Sequence, residues 1–277
     1  MPAFLDELFK RPKPVIAMIH TGPSPGVLGC CGVQCAVERA VAEARLFAEL
    51  GVDGLIVENM HDFPCVHERD MGPEVASFMT CIAYSVKRHV GRMPVGVQVL
   101  FQANRTAMAV AHASGCDFIR AEGWTHAHVS DKGIAEACAG EVLRYRKAIG
   151  ADRIPVFADV QKKHASHTWT ADLTLSDLAA SIQQHRADAI VVTGTTTGHA
   201  PDPEDLLEVA AASALPIFIG SGLDADNFTD YVGLADGFII GSAFKENGEW
   251  SAPVCETRVR QLVGAVEYTR GQEVGSA

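Results

Sequence analysis

Eight short apolar runs punctuate the chain, at residues 14–19, 54–57, 94–100, 118–120, 155–158, 189–192, 216–219 and 237–240. They are continuous rather than alternating, the pattern of strands buried on both faces, as parallel strands are. Between them apolar positions recur at helical spacing. Helices are predicted at 35–50, 73–90, 103–114, 138–149, 176–185, 205–213, 224–232 and 255–268. The first shows the rule: Val37, Ala40, Val41, Ala44, Phe47 and Ala48 share one face, and Gly51 follows as a C-terminal cap. The glycine- and proline-rich stretch 20–32, the histidine-bearing stretch 124–132 and the polar stretch 161–173 read as loops, and 270–277 reads as a frayed tail. The strict alternation predicts an α/β chain: a (β/α)8 TIM barrel, a single domain over 1–277 with its core at about 13–268. A doubly wound open sheet uses the same alternation but rarely reaches eight units.

Composition narrows the partners. The 277 residues are 48% apolar and 21% charged, ordinary for a globular protein with a sizeable core. A net charge of -11 argues against nucleic acid, whose phosphates need a basic face. No apolar run reaches the roughly 18 residues of a membrane span, and the N-terminal stretch lacks the core of a secretory signal. Membrane insertion is not expected, and a cytoplasmic location is. The eight cysteines do not suggest a disulfide scaffold or structural zinc. Cys81, Cys116 and Cys138 fall on apolar positions, and Cys30, Cys31 and Cys35 cluster in one loop.

Chemistry in such a barrel belongs at the C-terminal ends of the strands. There the chain places His20, Glu58, Asn59, Gln98, Arg120, Glu122, Asp159, Lys162, Lys163, His164, Thr193, Thr195 and Ser221. Glu58 ends a buried strand, where a carboxylate needs a partner or a role. It suits acid/base work, the alternative being an ion pair with Arg120. Asp159, with Lys163 and His164 close behind, can position a proton donor or hold a substrate anion, or else close a loop by a salt bridge. His20 precedes a loop that can act as a lid. Asn59, Arg120, Glu122, Thr193 and Thr195 are candidate substrate contacts. Gly220, Ser221 and Gly222, then Gly241 and Ser242, end the last two strands. Paired glycine turns at those two strands form the usual phosphate cup of this fold; the alternative is tight strand–helix packing. His126 and His128 are two apart, as metal ligands can be, but no metal-binding motif accompanies them. His61, His67 and His112 read as loop or surface residues.

Several of these stretches also resemble one family. They are VIAMIH at Val15–His20 before a Pro/Gly loop, GLIVEN at 54–59, and the Lys-His pair within 159–164. AIVVTG at 189–194 and GSG at 220–222 with ADGFIIGS at 235–242 complete the set. The chain resembles the BtpA/SgcQ family over nearly its whole length. The resemblance implies a ribulose-phosphate-binding type of barrel. It links the family's namesake to photosystem I biogenesis and another branch to nucleosidase or sugar metabolism. The loop with Cys30, Cys31 and Cys35 departs from the family pattern.

Two functions follow as expectations. The first is an enzyme acting on a phosphorylated sugar or nucleoside-like molecule, with Glu58, Asp159, Lys163, His164 and His20 catalytic. It is of the isomerase, lyase or glycosidic-bond-cleaving class. The second is a non-catalytic assembly or stability factor. No cofactor is firmly implied. A divalent metal, which would make a hydrolase of His20, His126 or His128, stays open, as does a homo-oligomer.

Overall fold

The computed structural model describes residues 3–161, 165–194 and 198–275. Eight parallel strands form a closed barrel: β1 (Val15–His20), β2 (Gly54–Glu58), β3 (Val95–Gln98), β4 (Phe118–Ala121), β7 (Val156–Asp159), β9 (Ala189–Val192), β10 (Ile217–Ile219) and β11 (Gly237–Ile240). β1 pairs with both β2 and β11, which closes the ring and leaves no edge. The helices between strands are α2 (Val33–Glu49), α3 (Pro73–Val90), α4 (Asn104–Ser114), α5 (Ala139–Ala148), α6 (Leu175–Gln184), α7 (Pro203–Ala212) and α8 (Phe228–Tyr231). α9 (Glu256–Gly275) ends the chain. The predicted barrel is present, and β5 (His128–Ser130), β6 (Gly133–Ala135) and β8 (Ala165–Ser166) add a small antiparallel sheet.

Four aspartates build the barrel by one device. Asp53, Asp117, Asp188 and Asp236 each sit one residue before β2, β4, β9 and β11. Each carboxylate accepts the backbone N–H that opens the preceding barrel strand: Val15 and Val95 at 2.8 Å, Val156 at 2.8 Å and Ile217 at 2.9 Å. A strand's first N–H reaches past the ladder, and the carboxylate supplies the acceptor it needs. Three of the four also meet a cation, Arg270, Lys87 and Arg146 respectively.

The interior is aromatic. Phe118, Phe157 and Phe218 stack in series, with ring centroids 4.7 and 4.8 Å apart. Gly96 and Gly237 make room for them: a Cβ at either position would lie 2.4 or 2.3 Å from the Phe118 or Phe218 ring. The N-terminal end of the barrel is plugged by α1 (Ala3–Phe9), whose Leu5 and Phe9 are buried under that stack.

Several expectations are corrected. Residues 3–9, for which no element is predicted, form α1, a helix too short for periodicity to reveal. The histidine-bearing stretch 124–132 contains β5 and the turn that leads into β6. The helix expected at 224–232 is the single turn α8, because Asp224 and Asn227 form a side-chain-stabilised turn first. The tail is not frayed at Arg270, which is buried and paired with Asp53 at 2.6 Å. Among the cysteines, Cys116 is buried but Cys81 is exposed on α3, and Cys31 and Cys35 form a local disulfide.

Candidate active site

The C-terminal mouth of the barrel opens into a cavity of about 550 Å³. It gathers residues from seven barrel strands or the turns after them: His20, Glu58, Gln98, Arg120, Glu122, Asp159, and the two glycine turns with Gly220, Ser221, Gly222, Gly241 and Ser242. The pleat explains why. His20, Glu58 and Gln98 are register partners at the ends of β1, β2 and β3, so the closed barrel sets them side by side.

His20 is held as a neutral imidazole. Its Nδ1 lies 2.9 Å from the Trp250 carbonyl, so Nδ1–H donates and Nε2 carries the lone pair. Nε2 faces Glu58 Oε2 at 3.5 Å. Burial is the main force that pushes the imidazole from 6.5 down to about 4, with Lys245 and His61 adding to it and the Trp250 bond opposing. The Glu58–Arg120 pair expected as the alternative does not form. Arg120 instead grips Asp159, Nε to Oδ1 at 2.9 Å and Nη2 to Oδ2 at 3.2 Å. The two-point fit of a guanidinium to a carboxylate selects Asp159. Burial works against the Arg120 charge, but Asp159, with the fields of Glu58 and Glu122, outweighs it and raises the guanidinium above its ordinary value.

The glycine turns are close-packed. A Cβ on Gly220 would meet Val191, Thr193 and, at 3.1 Å, the Arg120 guanidinium, which therefore lies beside this turn. Gly222 has φ +77, and its Cβ would fall 1.9 Å from the Ala200 nitrogen. The Ser221 hydroxyl donates to the His199 carbonyl at 3.0 Å and accepts from Gly194 N–H at 3.2 Å, so it braces the neighbouring loop. The turns are thus tightly packed and also line the cavity.

Not every candidate reaches the cavity. The Asn59 carboxamide is fully buried, bonded to Asp62 and to both backbone groups of Leu100, and clamps the loops after β2 and β3 together. Thr193 Oγ1 donates to the Gln161 carbonyl at 3.4 Å. Lys162, Lys163, His164 and Thr195 lie outside the described residues. His126 and His128 belong to the stretch around β5, where His128 packs on His167 with ring centroids 5.3 Å apart. Among the described residues no group of three or more His, Cys, Asp or Glu side chains is placed to hold a metal ion.

Sequence reasoning missed Trp250, whose ring stands 4.9 Å from His61 and 6.0 Å from His20 while its carbonyl orients His20. No local pattern marks it, because it comes from a loop 230 residues away. His61, read as a loop or surface residue, lies in the loop after β2 and is half-buried against Trp250. Asp131 and Lys132 also line the cavity, from the turn between β5 and β6. A signal existed for them: Asp131, Lys132 and Gly133 sit between two short apolar-bearing runs, as in a hairpin.

Fold and mouth together define a closed (β/α)8 barrel with a polar cavity at its C-terminal end, and the comparisons give its family. Residues 11–268 match the BtpA family, and the chain belongs to that family. It is 37% identical over 264 residues to the photosystem I biogenesis protein BtpA of Synechocystis sp., covering 95% of this chain and 91% of that protein. It is 37% identical over 265 residues to an uncharacterized mitochondrial protein of Caenorhabditis elegans, covering 94% of this chain and 95% of that one. Among solved structures it resembles phosphoribosyl anthranilate isomerase from Thermus thermophilus, with a TM-score of 0.57 at 13% identity over 92% of this chain and 99% of that chain. At that identity the likeness carries the fold alone. No helix among the described residues is long and apolar enough to cross a membrane.

Proposed function

We propose that this chain is an enzyme acting on a phosphorylated sugar or nucleoside-like small molecule by acid/base chemistry at the barrel mouth. The observation that carries the reading is the neutral His20 whose Nε2 faces Glu58 at 3.5 Å, in one cavity with the glycine turns after β10 and β11. His20 Nε2 is a base with its tautomer already set, and Glu58 stabilises the imidazolium that forms when it takes a proton. Arg120, held by Asp159, stabilises negative charge developing on a substrate oxygen. The turns offer backbone N–H groups to a phosphate, with the Arg120 guanidinium beside Gly220 as the local cation. Lys163 and His164 belong to the same reading as further charge stabilisers. Isomerisation, aldol-type cleavage and glycosidic cleavage all use this set.

A thermal-shift screen tests the proposal, with inorganic phosphate, sugar phosphates, nucleotides and nucleosides, each with and without a divalent metal. A ligand at 100 times its Kd stabilises by about 2.7 kcal/mol, which moves Tm by several degrees. Turnover of the responding class should disappear in Glu58→Gln with Tm unchanged within a few degrees. Undiminished turnover would sink the acid/base assignment. The name of the Synechocystis relative favours a second reading, an assembly or stability factor. That reading leads if no small molecule shifts Tm and Glu58→Gln is silent.

A further inference from the structure

Gln98 is a polar side chain of the cavity to which the proposed chemistry gives no role. It ends β3, is only 3% exposed and lines the cavity, yet its buried Oε1 has no hydrogen-bond partner. Burying an amide oxygen without a partner is costly, and such atoms in native proteins call for an explanation. Its register partner on β2 is Glu58, whose own partner on β1 is His20. Three neighbouring strands therefore end in acceptors: His20 Nε2, whose tautomer is set by Trp250, the Glu58 carboxylate, and Gln98 Oε1. In the ring β3 lies opposite β10, so a ligand held at the glycine turns extends across the mouth towards these acceptors.

We infer that Gln98 is a specificity residue, and that with His20 and Glu58 it reads neighbouring hydroxyl groups on the sugar portion of the ligand. Three acceptors side by side match a group that brings several donors, as a polyol does. They repel a carboxylate and leave a keto group unpaired. The inference rests on the proposed substrate site but not on its phosphate end.

Titration calorimetry separates the two. The probes are ribose 5-phosphate, fructose 6-phosphate, free ribose, and methyl phosphate, which has no hydroxyl groups. In the wild type, one of the sugar phosphates should bind at least about tenfold more tightly than methyl phosphate, the worth of one or two hydrogen bonds. Gln98→Leu and Gln98→Met should each shrink that preference by about tenfold and leave methyl phosphate affinity unchanged. Both variants remove an unpartnered buried amide oxygen, so Tm should hold or rise, which separates lost recognition from lost folding. Equal binding of sugar phosphates and methyl phosphate, or a preference that survives both variants, overturns the inference and leaves the phosphate cup standing. Gln98-dependent binding of free ribose with no response to methyl phosphate supports the inference and overturns the phosphate cup. Silence from every hydroxylated probe overturns the inference.

Discussion

At the scale of single residues, His20 makes the protein's stability depend on pH in a definite direction. The folded state binds this proton at about pH 4, and the unfolded chain binds it near 6.5. Between those values the unfolded state carries more protons, so acid favours unfolding. The contribution is fully present above pH 6.5 and is lost as pH falls through 4; its full size is on the order of 3 kcal/mol. Tm of the wild type should therefore fall more steeply between pH 7 and 4.5 than Tm of His20→Asn. Parallel slopes would mean that the imidazole is not held neutral. His20 and Glu58 were both legible as strand-end residues from the apolar runs before them. Their facing geometry was not, because a run of apolar residues says where a strand ends and not which neighbour it meets.

At the scale of elements, the barrel is four repeats of a strand–helix–strand unit tied by aspartates. Asp117 shows the device: Oδ2 accepts Val95 N–H at 2.8 Å and the Lys87 ammonium at 2.6 Å. Replacing it by alanine strands a backbone donor at the start of β3, a cost of about 1–3 kcal/mol. Asp117→Asn keeps an acceptor and should cost less. Urea midpoints of the two variants measure this, and equal midpoints would show that the backbone bond is dispensable. The aspartate before every second strand is visible in the sequence once it is looked for. Its partner is not, since one side chain reaches a backbone group 19 to 38 residues earlier. The same limit explains α8 and the hairpin of β5 and β6, where side-chain turns decided structure over a few residues and no full helical or strand period had room to show.

At the scale of the whole molecule, the two ends of the barrel divide the work. The C-terminal mouth holds the cavity, while α1 closes the other end with Phe9 against Phe118 and Phe218, at 6.0 and 6.2 Å. Arg270 adds a buried clamp to Asp53 at that same end. Phe9→Ala should cost about 3–5 kcal/mol by leaving a cavity under the aromatic stack. Ligand affinity at the far mouth should not change. A Phe9→Ala protein with lowered Tm but wild-type ligand titration fits this division. A parallel loss of affinity would mean that the ends are coupled.

The sequence by itself determined the class of fold, the order of strands and helices, and the rim on which the polar residues collect. Those follow from periodicity, because burying apolar side chains on a strand or helix is decided within a few residues. It also marked Glu58, Asp159 and the glycine turns as positions to watch. Only the tertiary structure decided that Asp159 holds Arg120, that Asn59 is a clamp between loops, that Trp250 sets the tautomer of His20, and that Gln98 lines the cavity with its Oε1 unpartnered. These pairings join residues up to 230 positions apart. Closing the ring brings them within hydrogen-bond range, and no local pattern in a chain encodes a contact that exists only after closure.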